Sequence, residues 1–143
     1  MKAFFDLVKG HEYALLQSDA AKAGTAIEEG QWVVFDPVTS EFVPQVGKYD
    51  PATQGAIFPV YGGNKVRFDS QALGVVTVAM GKSFVGRTNK VAAVAIKKGD
   101  ALTVLDGVIT KAALTGAEIT PATAIIGWCT KANTDGIIEF ARA

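Results

Sequence analysis

Covalent or metal chemistry in this chain of 143 residues would have to begin with its one cysteine, Cys129, and its one histidine, His11. A nucleophilic thiol needs an activating base beside it. His11 adjoins Glu12 and Tyr13, far in sequence from Cys129, and Cys129 ends the apolar run Ile125-Ile126-Gly127-Trp128, where a thiol acts as a small hydrophobe. A structural zinc site takes about four ligands, usually Cys and His, and only two such residues exist here. Met80-Gly81-Lys82-Ser83 has the ending of a phosphate-binding loop, but the position that must supply the first glycine of that pattern is Val76. Gly62-Gly63-Asn64 lacks dinucleotide-motif spacing and reads as a tight turn. Asp36, Asp100, Asp106 and Asp135 each adjoin Gly or Pro, where a carboxylate sets turn geometry by accepting local backbone hydrogen bonds. The expectation is a chain that is not an enzyme, with no catalytic residue, no cofactor site and no metal site.

Composition narrows the partners. Lys and Arg number 14 and so do Asp and Glu, and this zero net charge argues against bulk attraction to nucleic acid or anionic lipid. The longest apolar run, residues 91–96, falls far short of the roughly 20 residues that span a bilayer as a helix. The first residues show no secretory signal, so the reading is a soluble protein made inside the cell, with neither membrane nor direct nucleic acid as partner.

The elements follow from residue type. The chain has 16 Val, 9 Ile and 12 Thr against 7 Leu, and β-branched side chains favour a pleated surface, so the fold class is mainly β. Residues 1–23 differ from the rest, being rich in large apolar side chains and poor in turn residues. They read as an N-terminal arm, in which residues 11–23 form a short helix or an extended segment. Residues 24–143 read as one β-rich domain of short antiparallel strands. Within it, residues 32–35 and 41–43 form a hairpin around a Pro-containing loop, and residues 47–64 form a loop excursion. Strands are predicted at residues 65–68 and 74–79. Asp106-Gly107 and Asp135-Gly136, each between apolar runs, predict two tight hairpins. Arg87, Lys90, Lys97 and Lys98 read as a solvated strand edge.

One short pattern repeats. Ala26-Ile27-Glu28-Glu29-Gly30 recurs 69 residues later as Ala95-Ile96-Lys97-Lys98-Gly99. The glycine would permit a positive φ and Ile would enter a core. Taking Gly74 and Gly127 as matching landmarks implies that the first half is the same unit enlarged by the 47–64 excursion.

Apolar and aromatic side chains in the arm and the excursion either mark surfaces that another chain completes or belong to segments that fold back over the protein's own barrel. The candidates are Phe4, Phe5, Leu7, Val8, Tyr13, Ile57, Phe58 and Tyr61. A different reading is a carbohydrate- or small-ligand-binding module that stacks its ligand on Trp32, Trp128, Tyr49 and Tyr61.

The last 50 or so residues carry a succession of motifs: Gly99-Asp100, Asp106-Gly107-Val108, Ala124-Ile125-Ile126-Gly127-Trp128 and Asp135-Gly136-Ile137. It resembles the small β-barrel decoration, or cement, proteins on the capsids of tailed bacteriophages. Residues 23–36 are a weaker echo, and the middle of the chain is not covered. The resemblance implies a β-tulip or similar barrel and a homotrimer at threefold positions on the capsid exterior. It also implies the major capsid protein as partner, a structural rather than enzymatic role in the virion, and an N-terminal arm contacting the lattice.

Overall fold

The computed structural model describes residues 2–10, 14–62, 74–81, 83–113 and 124–143. The strands are β1 (Phe5–Lys9), β2 (Leu16–Ala20), β3 (Trp32–Phe35), β4 (Phe42–Pro44), β5 (Ile57–Pro59), β6 (Val75–Ala79), β7 (Val85–Thr88), β8 (Ala101–Leu105), β9 (Val108–Lys111), β10 (Gly127–Ala132) and β11 (Ile138–Arg142). A single helical turn, α1 (Pro51–Gln54), sits between β4 and β5, with Asp50 as its N-cap accepting from the Ala52 N–H. The expected mainly β, antiparallel class is present. The strand expected at residues 65–68 lies outside the described residues.

Ten of these strands form two units with the same wiring. In the second unit the hydrogen-bonded order is β7-β11-β10-β8-β9. In the first, β2 pairs with β6, β3 lies between β4 and β5, and a Val60–Val78 bridge joins the two ladders. The resulting path, β2-β6-β5-β3-β4, is the same path. Individual hydrogen bonds repeat as well. Gly30 N–H donates to Val60 C=O (2.9 Å) as Gly99 donates to Cys129 (2.7 Å), and Met80 donates to Leu15 (2.7 Å) as Arg142 donates to Phe84 (2.9 Å). Gln45 to Trp32 (3.1 Å) likewise matches Ala112 to Ala101 (2.8 Å).

The five-residue echo is the turn that opens this shared framework. Gln31 N–H donates to Glu28 C=O and Asp100 N–H to Lys97 C=O. The third residue of each turn is a glycine at positive φ, 83° for Gly30 and 94° for Gly99, which a type II turn requires. The Gly74–Gly127 correspondence needs correcting. Gly74 precedes β6, and its counterpart is Gly136, which precedes β11; both have positive φ, at 73° and 83°. Gly127 opens β10, whose counterpart is β5. The extra length of the first unit therefore lies between β5 and β6, not at 47–64.

Of the two alternatives for residues 11–23, the extended one is found at residues 16–20, which form a strand paired with Val75–Ala79; the apolar spacing is too loose for a helical stripe. One further expectation changes. The barrel is not closed by continuous ladders among the described residues. Each unit is left with a seam, spanned by one parallel bridge: Ala21–Phe42 in the first and Val91–Ile109 in the second.

β1 is not a detached arm. It pairs antiparallel with β7, so the first strand of the chain extends the sheet of the second unit. Phe5 is fully buried and packs edge-to-face on Phe84, with Phe140 tilted beside it. A Cβ at Gly86 would lie 2.8 Å from the Phe5 ring, so glycine there makes room for β1.

The units meet where the tip of the β8–β9 hairpin enters the loop after β4. Trp32 N–H donates to Gly107 C=O (2.9 Å), and Asp106 N–H to Gly47 C=O (2.8 Å). Gln45, only 1% exposed, accepts from Gly107 N–H at Oε1 (2.8 Å) and donates from Nε2 to the carbonyls of Val46 (3.0 Å) and Gly47 (2.6 Å). Nearby, the Arg142 guanidinium lies 4.9 Å from the centroid of the buried Trp32 ring. Gln45→Ala orphans the Gly107 N–H in a buried site, and the expected cost is about 2–3 kcal/mol, measured as a lower urea midpoint at unchanged slope.

Candidate interaction surface

Among the described residues, no three His, Cys, Asp or Glu side chains converge as a metal site would require. Cys129 is buried, and burial pushes its thiol pKa up, the opposite of an activated nucleophile. His11 lies outside the described residues. Several of the described carboxylates are engaged in structure. Asp36 accepts from Val38 N–H (2.8 Å) and pairs with Lys22 (3.1 Å), and these contacts hold its pKa below the ordinary value. Glu28 bonds Lys90 (2.8 Å), a surface link from one unit to the other, which lowers its pKa.

Each unit carries one groove in the same place, between the crossover after its first strand and the start of its last. The groove of about 450 Å³ in the first unit is lined by Ala21, Thr25, Ile27, Glu28, Gly74 and Val76 among others. That of about 330 Å³ in the second includes Val91, Val94, Ile96, Asp135, Gly136 and Ile138. Both linings mix small apolar side chains with polar ones, Lys22, Thr25 and Glu28 in the first and Asn89 and Asp135 in the second.

The sequence-chosen contact residues divide by burial. Phe5, Leu7, Ile57 and Phe58 are buried in the protein's own core. Phe4 is half-buried, with the Arg87 guanidinium 5.7 Å from its ring centroid, and Tyr61 is half-buried edge-to-face against Phe5. Val8 is exposed. Tyr13 lies outside the described residues. The four aromatics of the ligand-binding reading do not share an open groove, because Trp32 and Tyr49 are buried while Trp128 is 48% exposed. The Tyr49 hydroxyl donates to Gly55 C=O (2.7 Å), so it serves the 47–64 loop internally.

The apolar side chains that do face outward lie mainly on turns and strand ends. Val38 (89% exposed) tips the β3–β4 loop and Val46 (75%) the loop after β4; Leu15 (62%) precedes β2 and Leu16 begins it. Leu105 stands beside Val46, tied to it through the Lys48–Leu105 bridge and the Gly47–Asp106 hydrogen bond. Sequence pattern did not single these out, since a valine in a polar turn carries no periodic signature; only its position on the folded surface shows it is uncovered.

Acrylamide should quench the fluorescence in two components, one accessible and one shielded, and Trp128→Phe should remove the accessible one. Comparison with family models, characterised proteins and solved structures gives no match for this chain.

Proposed function

We propose that the chain is a non-enzymatic structural protein that decorates the exterior of a tailed-phage capsid and braces the major capsid protein lattice, working as a homotrimer. The observation that carries this reading is the set of large apolar side chains presented on turns, Val38, Val46, Leu105 and Leu15, on a neutral surface. Water-facing valines and leucines at loop tips suit contact with another protein surface and have little use in a ligand cleft. The motif resemblance of the last 50 residues supports the same reading. So does the form of each unit, which we read as a small rolled, tulip-like barrel whose seam is held by its parallel bridge. Many copies on a lattice would multiply modest contacts into large net stabilisation.

Binding is tested by adding purified protein, at micromolar concentration, to capsids that lack it. Saturable binding with a raised capsid melting temperature is expected, and no binding would overturn the proposal. Deleting the N-terminal segment is a poor probe, because Phe5 and Leu7 belong to the core. The better variant is Val38→Asp/Val46→Asp, which leaves the strands intact and should weaken binding at least about tenfold, on the scale of two lost apolar contacts.

A further inference from the structure

Among the differences between the two units, one lies at the outer edge of the first strand. On β7 that edge is filled by β1. On β2 no strand among the described residues fills it. Met80 N–H donates to Leu15 C=O and Ala21 N–H to Gly74 C=O, each at 2.7 Å, so the odd-numbered residues of this stretch turn their backbone groups toward β6. Leu16, Ser18 and Ala20 turn theirs outward, where, among the described residues, only the Ala20 N–H has a partner, its neighbour's Asp19 Oδ1 at 2.8 Å.

A strand like β1 does not suit this edge. β1 docks because Gly86 leaves space for Phe5, whereas pairing places Gln17 at the corresponding position of β2, opposite Val78 as Gly86 is opposite Phe140. The occupant must offer polar complements to Gln17 and Asp19. We infer that the occupant is β2 of a second copy, paired antiparallel about Ser18 so that the two sheets join across a twofold axis.

Backbone geometry and side chains agree on the register. Outward-facing groups pair only with outward-facing groups, so Ser18 must stand opposite Ser18, Leu16 or Ala20 of the other copy. With Ser18 opposite Ser18, Leu16 covers Ala20 and the Gln17 amide faces the Asp19 carboxylate, twice over by symmetry. Shifting by two residues one way puts Asp19 against Asp19, a like-charge pair; shifting the other way puts Gln17 against Gln17 and leaves both carboxylates without a complement. In the joined state Asp19 gives up Ala20 N–H to the Leu16 carbonyl of the other copy and receives the Gln17 amide. Exposed Leu15 and Leu16 lie at the ends of this ladder, and zero net charge leaves no long-range repulsion between copies. This contact does not depend on the capsid reading.

Two residues in a hydrogen-bonded antiparallel pair have Cα atoms about 5.5 Å apart, within disulfide range. Ser18→Cys should therefore oxidise in air to a covalent dimer on a non-reducing gel. The wild type should not, its Cys129 being buried. Leu16→Cys and Ala20→Cys should give no covalent dimer separately and should cross-link when mixed. In the Ser18→Cys background, Gln17→Asp should lower the cross-linking rate about fivefold, the scale of two cross-strand pairs. A folded Ser18→Cys protein that remains monomeric would overturn the inference. So would equal cross-linking of the three single variants, which is what a different occupant or random collision gives.

Discussion

The junction between the two units rests on one buried amide. A hairpin tip carries backbone groups that its own ladder cannot satisfy, and burying them without partners costs more than the hairpin gains. Here Gly107 at the tip is buried against the other unit while Asp106 stays exposed, and Gln45 answers by accepting from Gly107 N–H while donating to the Val46 and Gly47 carbonyls. The loop that holds Gln45 is itself fixed by α1, where Gln54 accepts from Asp50 N–H and donates to the Val46 carbonyl. The relative position of the units is thus set by hydrogen-bond directions, with apolar packing of Trp32, Phe140 and Arg142 filling the space that those directions define.

Local grammar was readable and long-range pairing was not. Asp106-Gly107 and Asp135-Gly136 marked their hairpins because a short turn between twisted strands needs positive φ, which Gly, Asn and Asp supply. The β3–β4 hairpin was marked by Asp36-Pro37 for a different reason: proline presets a turn φ and the Asp36 carboxylate accepts from Val38 N–H. The shared framework is legible in the sequence at its opening turn, where Gly30 and Gly99 stand in matching five-residue patterns; the second pair of positive-φ glycines, Gly74 and Gly136, has no such flanking match. Elsewhere the units need only an apolar side chain facing inward, so Val33 corresponds to Leu102 and Phe42 to Ile109 with no shared identity. For the same reason Gly127 was a misleading landmark: it is a strand glycine packed against the Ala141 carbonyl, not a turn glycine. β1 was misplaced because an edge strand and a free arm have the same composition. Only its partner, about 80 residues away, tells them apart.

The contact residues suffered from the same confusion of hydrophobicity with availability. Phe5, Ile57 and Phe58 are the most apolar members of their segments and are therefore inside. The side chains left for another molecule are smaller and stand at places where the chain turns. A surface of this kind, without a charged field, recognises by shape at close range and exerts little pull at a distance.

The pairing of β1 with β7 has a consequence for how the chain comes into being. Phe4 and Asn89, joined by a 2.9 Å hydrogen bond, are 85 positions apart, and β7 is itself held on its other side by the last strand, β11. β1 can therefore dock only once β7, some 80 residues later, is in place, and β7 is itself held once β11 reaches its other side. Until then Phe5 and Leu7 have no core to enter, while the first unit can already form its own ladders, so folding leaves an apolar strand waiting for a partner that is distant in sequence, the kind of non-local pairing that is slow and open to aggregation.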